Sequence, residues 1–111
     1  MRNEYRKGLV YVQNKYAGII QETEEGYLYT YDEDYRLSSE AVAISLTLPL
    51  EKKSYFSKTL FSFFDGLIPE GWLLNVVSRN WKIRQDDRFG LLLLVCRDCI
   101  GDVSIRKEDE A

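Results

Sequence analysis

Eight consecutive residues, Phe89-Gly-Leu-Leu-Leu-Leu-Val-Cys96, carry almost no polarity and leave a chain of this size few choices. Read as a helix, Leu91 to Val95 is apolar on every side, and a helix without a polar face has to be buried. It is too short to cross a bilayer, which takes about 20 residues. The rest of the chain must therefore enclose it. At 111 residues and 45% hydrophobic content there is material for one modest core. A single domain over 1–111 is expected, with its core over roughly 7–105 and a charged tail at 106–111.

The enclosing material reads first as strands. Lys7 to Gln13 alternates, with Leu9 and Tyr11 on one face and Val10 and Val12 on the other. Asn14-Lys15 reads as a turn, and Tyr16 to Gln21 returns. After Glu24-Glu25-Gly26, the segment Tyr27-Leu-Tyr-Thr-Tyr31 sets three tyrosines on one face, as β-propensity on a half-buried sheet would. Asp32 to Ser39 is a polar connection with room for one helical turn. Ala41 to Leu48 reads as a further strand, stopped by Pro49, and Glu51 to Ser57 as a charged loop. Ser57 or Thr59 would cap a short helix through Phe64, closed by Gly66 at C′. Pro69 and Glu70 suit the first turn of a second helix running to Lys82. Asp86 or Asp87 caps the apolar helix, and Asp102 to Ile105 is a closing strand. Strands first, helices second and one strand returning predict an α+β fold: a small antiparallel sheet of about five strands packed with about three helices.

The chemistry is defined mostly by what is missing. With no histidine, Ser-His-Asp and Cys-His nucleophile systems, histidine bases and most catalytic zinc sites are excluded. Cys96-Arg-Asp-Cys99 lacks a second pair to complete a zinc site. It falls at the end of the apolar helix, the wrong pole for thiolate stabilisation, and reads as two reduced, mostly buried thiols. No glycine-rich phosphate loop or kinase motif is present. The formal charge of −3, with Lys52-Lys53, Arg79 and Lys82-Arg84 scattered among acids, argues against direct nucleic-acid binding. The acids flanking the tyrosine strand would also repel phosphates from it. No signal-peptide or membrane segment is read, so the reducing cytoplasm is the expected compartment. The expectation is a protein without catalytic residues, cofactor or metal.

What the chain does offer is aromatic density in Phe61-Ser-Phe-Phe-Asp-Gly-Leu-Ile-Pro-Glu-Gly-Trp72. Phe61, Phe64, Leu67 and Ile68 read as core and turn. In the helix that follows, each residue advances about 100°. With Leu73 at zero, Val77, Trp81 and Leu74 fall at about 40°, 80° and 100°, and Val76 at about 300°, giving a core arc. Asn75, Ser78, Arg79 and Lys82 occupy the opposite arc, and Trp72 lands beside it at about 260°. Trp72 has two readings: it folds over the loop from Phe61 to Phe64 and closes the core, or it faces outward beside Arg79, the composition of a binding hot spot. The candidate partner-binding residues are Trp72 at the centre, Gly71, Leu73, Asn75 and Arg79 around it, and the turn Asp65, Pro69 and Glu70 presenting it.

Four segments in order carry a family resemblance: Ile44-Ser-Leu-Thr-Leu-Pro-Leu50, Phe61 to Gly71, Asp87-Arg-Phe-Gly-Leu-Leu92 and Cys99-Ile-Gly-Asp-Val103. Together they resemble the N-terminal subdomain of HipA toxin kinases. That subdomain has an S-L-S-L-P strand, an F-F-D-x-L-[LI]-P-[DE] turn and a G-x-[DS]-x-x-G-A-V ending. Thr47, Val95-Cys96 and Asp102 depart from the pattern. HipA proteins continue into a Ser/Thr kinase domain, whereas this sequence ends in its charged tail. It therefore resembles the stand-alone HipS-like antitoxin of tripartite HipBST systems. The resemblance implies binding to a HipT-like Ser/Thr kinase toxin, docking where the missing subdomain would sit and blocking the enzyme. A HipB-like helix-turn-helix protein would complete the complex. Two other readings remain open: a non-inhibitory scaffold for the kinase, and an accessory component of a HipB-like repressor–DNA complex.

Overall fold

A computed structural model describes residues 5–68, 71–84, 86–96 and 103–107. In chain order the elements are β1 (Lys7–Val12), β2 (Lys15–Glu22), β3 (Tyr27–Tyr31), α1 (Glu33–Arg36), β4 (Ser54–Ser57), α2 (Ser62–Asp65), α3 (Gly71–Trp81), α4 (Arg88–Val95) and β5 (Val103–Lys107). The strands form one sheet in the order β4-β3-β2-β1-β5, and all four neighbouring pairs are antiparallel. This is the expected α+β architecture.

Alternation decides which side of the sheet is buried. Val10 opposes Ile105 and Gly18, and Ile20 opposes Tyr29, so these residues share one face. That face carries the helices. Tyr35 of α1 stacks on Tyr31, Phe64 of α2 meets Tyr29, and Phe89 of α4 meets Tyr27. α4 crosses close above Gly8, where an added Cβ would lie 2.7 Å from both Leu93 and Ile105. Phe89, Leu91, Leu92 and Leu93 are buried, which bears out the reading of an enclosed apolar helix. Asp87, not Asp86, is its cap, accepting a hydrogen bond from the Gly90 amide at 3.1 Å.

Several local expectations need correction. The first turn is Gln13-Asn14, both at positive φ (51° and 67°), so β2 begins at Lys15. The mirror-image turn matches strand twist, and asparagine tolerates the left-handed region. α2 starts at Ser62 behind Phe61, without a side-chain cap from Ser57 or Thr59, and Gly66 ends it in the right-handed region (φ −68°). Cys96 is disulfide-bonded, which corrects the expected reduced thiol, while Cys99 lies outside the described residues. The helix ends at Val95, and Cys96 is its C-cap.

The largest correction concerns Ala41 to Leu48. It is not a strand; the fourth strand is Ser54–Ser57, within the segment expected to be a loop. Side chains satisfy its backbone instead. The Tyr31 hydroxyl donates to the Leu48 carbonyl and accepts from the Ile44 amide at 3.1 Å. The Tyr35 hydroxyl donates to the Val42 carbonyl at 2.8 Å and accepts from the Val42 amide at 3.2 Å. Tyr55 donates to Pro49 O at 2.6 Å and Arg36 to Leu50 O at 3.0 Å. A buried backbone group needs a partner, but the partner need not be a strand.

Candidate partner-binding site

The sequence-designated residues fall into three sets. Asp65 ends α2, and its carboxylate accepts from Arg88 Nε of α4 at 2.8 Å, tying the turn to the buried helix. Pro69 and Glu70 lie outside the described residues. Gly71, Trp72 and Leu73 form the first turn of α3, and their side chains lie outside the described ones. Asn75 and Arg79 are exposed, one helical turn apart on the same face.

The core arc of α3 differs from the one read by periodicity. Ser78 is buried at 8% exposure although it was placed on the polar arc, and Leu74 packs against the core. Trp81, placed in the core, is 63% exposed. The cause is the helix end. Lys82 takes φ 57°, and the Ile83 amide donates to Ser78 O at 3.0 Å, the 6→1 bond that turns the chain away. Ile83 then covers the core where Trp81 was expected, leaving the indole on the overhanging last turn. A helical wheel contains no information about where a helix outruns its support. The serine is accommodated because small polar residues fit close contacts.

A second apolar feature arises from the irregular 41–50 segment. Leu46 is 99% exposed and Val42 54% exposed. Val42 also lines a groove of about 310 Å³, together with Val12, Ile44, Phe63, Leu67 and Val103. Phe63 and Leu67 come from the aromatic turn, so the groove adjoins the segment that leads into α3. Sequence reading missed Leu46 because it assigned the residue to a strand. Within the same turn, Phe64 and Ile68 are buried and Phe61 and Leu67 partly buried, as expected.

Together these features define a class: a small α+β domain offering an exposed helix face and an apolar groove. Among the described residues no cluster of three or more metal-ligating side chains occurs, and no helix is long and apolar enough to cross a membrane. The chain belongs to the HipA N-terminal domain family, which is matched over residues 8–106. A solved structure titled as the N-terminal domain of HipA toxin is similar to it, with a TM-score of 0.76 and 30% identity, covering 100% of each chain. An uncharacterized protein of Haemophilus influenzae is 32% identical over 110 residues, 99% of this chain and 100% of the relative. Membership in this family is consistent with a toxin–antitoxin component.

Proposed function

We propose that this protein is an antitoxin, without enzymatic activity of its own, that binds and inhibits a HipT-like Ser/Thr kinase. It docks where the HipA N-terminal subdomain would sit, and a HipB-like helix-turn-helix protein joins the same complex. The observation that supports this reading is the family match across 8–106, since the HipA subdomain that the chain resembles precedes a kinase domain. The exposed face of α3 supplies the contact. Asn75 and Arg79 are exposed there, and the helical repeat assigns Trp72 to the same arc. Burying an indole at an interface contributes on the order of 2 kcal/mol to binding.

Kinase assays with and without the purified protein test the reading. Inhibition that saturates at a fixed stoichiometry is expected. Unchanged or raised kinase activity on complex formation would instead identify a scaffold. A repressor–operator complex weakened by loss of this protein, with kinase activity unaffected, would identify an accessory role on DNA.

A further inference from the structure

We propose that the free edge of β4 is a docking strand for an extended, acidic segment of a partner protein. The register sets the geometry. The Tyr31 amide donates to Lys53 O at 2.7 Å, so Lys53 faces β3 in a hydrogen-bonded pair. Pairs alternate along an antiparallel ladder, so Tyr29–Tyr55 and Tyr27–Ser57 are bonded, whereas Thr30–Ser54 and Leu28–Phe56 are not. The backbone N–H and C=O of Ser54 and Phe56 therefore point away from β3. Among the described residues β4 is the end of the sheet and nothing pairs with that edge.

The side chains around the edge select its occupant. Lys52, Lys53 and Lys58 are exposed and flank the strand at both ends, in a chain whose formal charge is −3. Lys52 lies 5.1 Å from the centre of the Tyr55 ring, and Lys53 is 3.9 Å from Glu33. A second copy of this chain would bring lysines against lysines, the usual protection of an edge against its own kind. A strand bearing carboxylates meets the opposite sign. Phe56 is 51% exposed on the sheet face opposite the helices, next to half-buried Leu28. An added strand would therefore place alternate apolar side chains beside Phe56 and direct its carboxylates toward Lys52 and Lys53. Glu24 and Glu25 occupy the turn at Gly26, which packs on Ser57 and Lys58, so the attraction is concentrated at the Lys52-Lys53 end.

The test uses the isotopically labelled protein and two synthetic eight-residue peptides, one alternating glutamate with valine and one alternating lysine with valine. The acidic peptide is expected to shift the Ser54 and Phe56 amides saturably, at least tenfold more tightly than the lysine peptide. Phe56→Pro removes an outward N–H and leaves the β3 ladder intact, so binding should vanish while the amide spectrum elsewhere is kept. Lys52→Glu with Lys53→Glu should weaken binding at least tenfold in a protein that keeps every edge amide. Absent shifts at Ser54 and Phe56, an equal response to both peptides, or undiminished binding by the double glutamate variant would overturn the proposal.

Discussion

Arg6 and Asp87, 81 positions apart, meet in a two-pronged ion pair, with Nη1 to Oδ2 at 3.0 Å and Nη2 to Oδ1 at 2.9 Å. The same guanidinium grips Glu22 through Nε and Nη2 at 2.9 and 2.8 Å, and lies 5.5 Å from the Phe89 ring centre. Asp87 is also the cap of α4. The approach to β1, the end of β2 and the start of the buried helix are thus locked by one side chain. Gly90 completes the fit, because a Cβ there would lie 2.3 Å from Asp87 Oδ2 and 2.8 Å from Arg6 Nη1.

Arg6 holds both carboxyls below their ordinary values, chiefly by side-chain hydrogen bonding and against the opposing effect of burial. Carboxyls with depressed folded-state values stabilise fully above the unfolded value of about 4, and that stability is lost as pH falls through the lower folded values. Urea midpoints should therefore drop on acidification below about pH 4, and Arg6→Met should flatten that dependence. At pH 7 the variant should lose about 1–2 kcal/mol, discounted because the Arg6 side chain is 42% exposed. Gly90→Ala should be destabilising in the wild-type background and milder when Arg6 is also replaced.

Two neighbouring tyrosines should respond oppositely to loss of the hydroxyl. Tyr31 and Tyr29 are both fully buried and their rings meet edge-on at 4.8 Å. The Tyr31 hydroxyl holds Ile44 and Leu48, so Tyr31→Phe should cost about 1–3 kcal/mol and loosen residues 41–50 in hydrogen exchange. The Tyr29 hydroxyl has no partner among the described residues, and burial pushes its ionisation well above the ordinary tyrosine value. Tyr29→Phe should be neutral or stabilising by denaturant titration.

Lys82 occupies the left-handed position that ends α3, at a cost of about 1 kcal/mol for a residue with a Cβ. Lys82→Gly relieves that strain but frees the unfolded chain, leaving a net gain of about 0.5 kcal/mol. Thermal unfolding checks it, with Lys82→Ala as the control that should show no gain.

The parts of the fold written in local periodicity were legible in the sequence. The tyrosine alternation located β3 at Tyr27–Tyr31, and the all-round apolar run located a buried α4. The S-L-T-L-P segment was misread because alternating apolar residues signal a strand only if a neighbouring strand satisfies the backbone. Here the phenols of Tyr31 and Tyr35 do so, and no local signal in residues 41–48 announces them. Trp81 was misread because wheel phase ignores where the chain leaves the core. The turn and helix of the candidate site were visible in Phe61 to Trp72. The apolar groove at Val42 was not, since it forms only when residues 42–44 fold against Phe63 and Leu67.

The central claim, that α3 meets the kinase through Trp72, is tested most directly by measuring how well purified Trp72→Ala inhibits the partner kinase. Circular dichroism and thermal unfolding should first show that the variant keeps the wild-type fold. The account predicts an inhibition constant raised about thirtyfold, the equivalent of 2 kcal/mol. A folded Trp72→Ala protein that inhibits the kinase as well as wild type would contradict it.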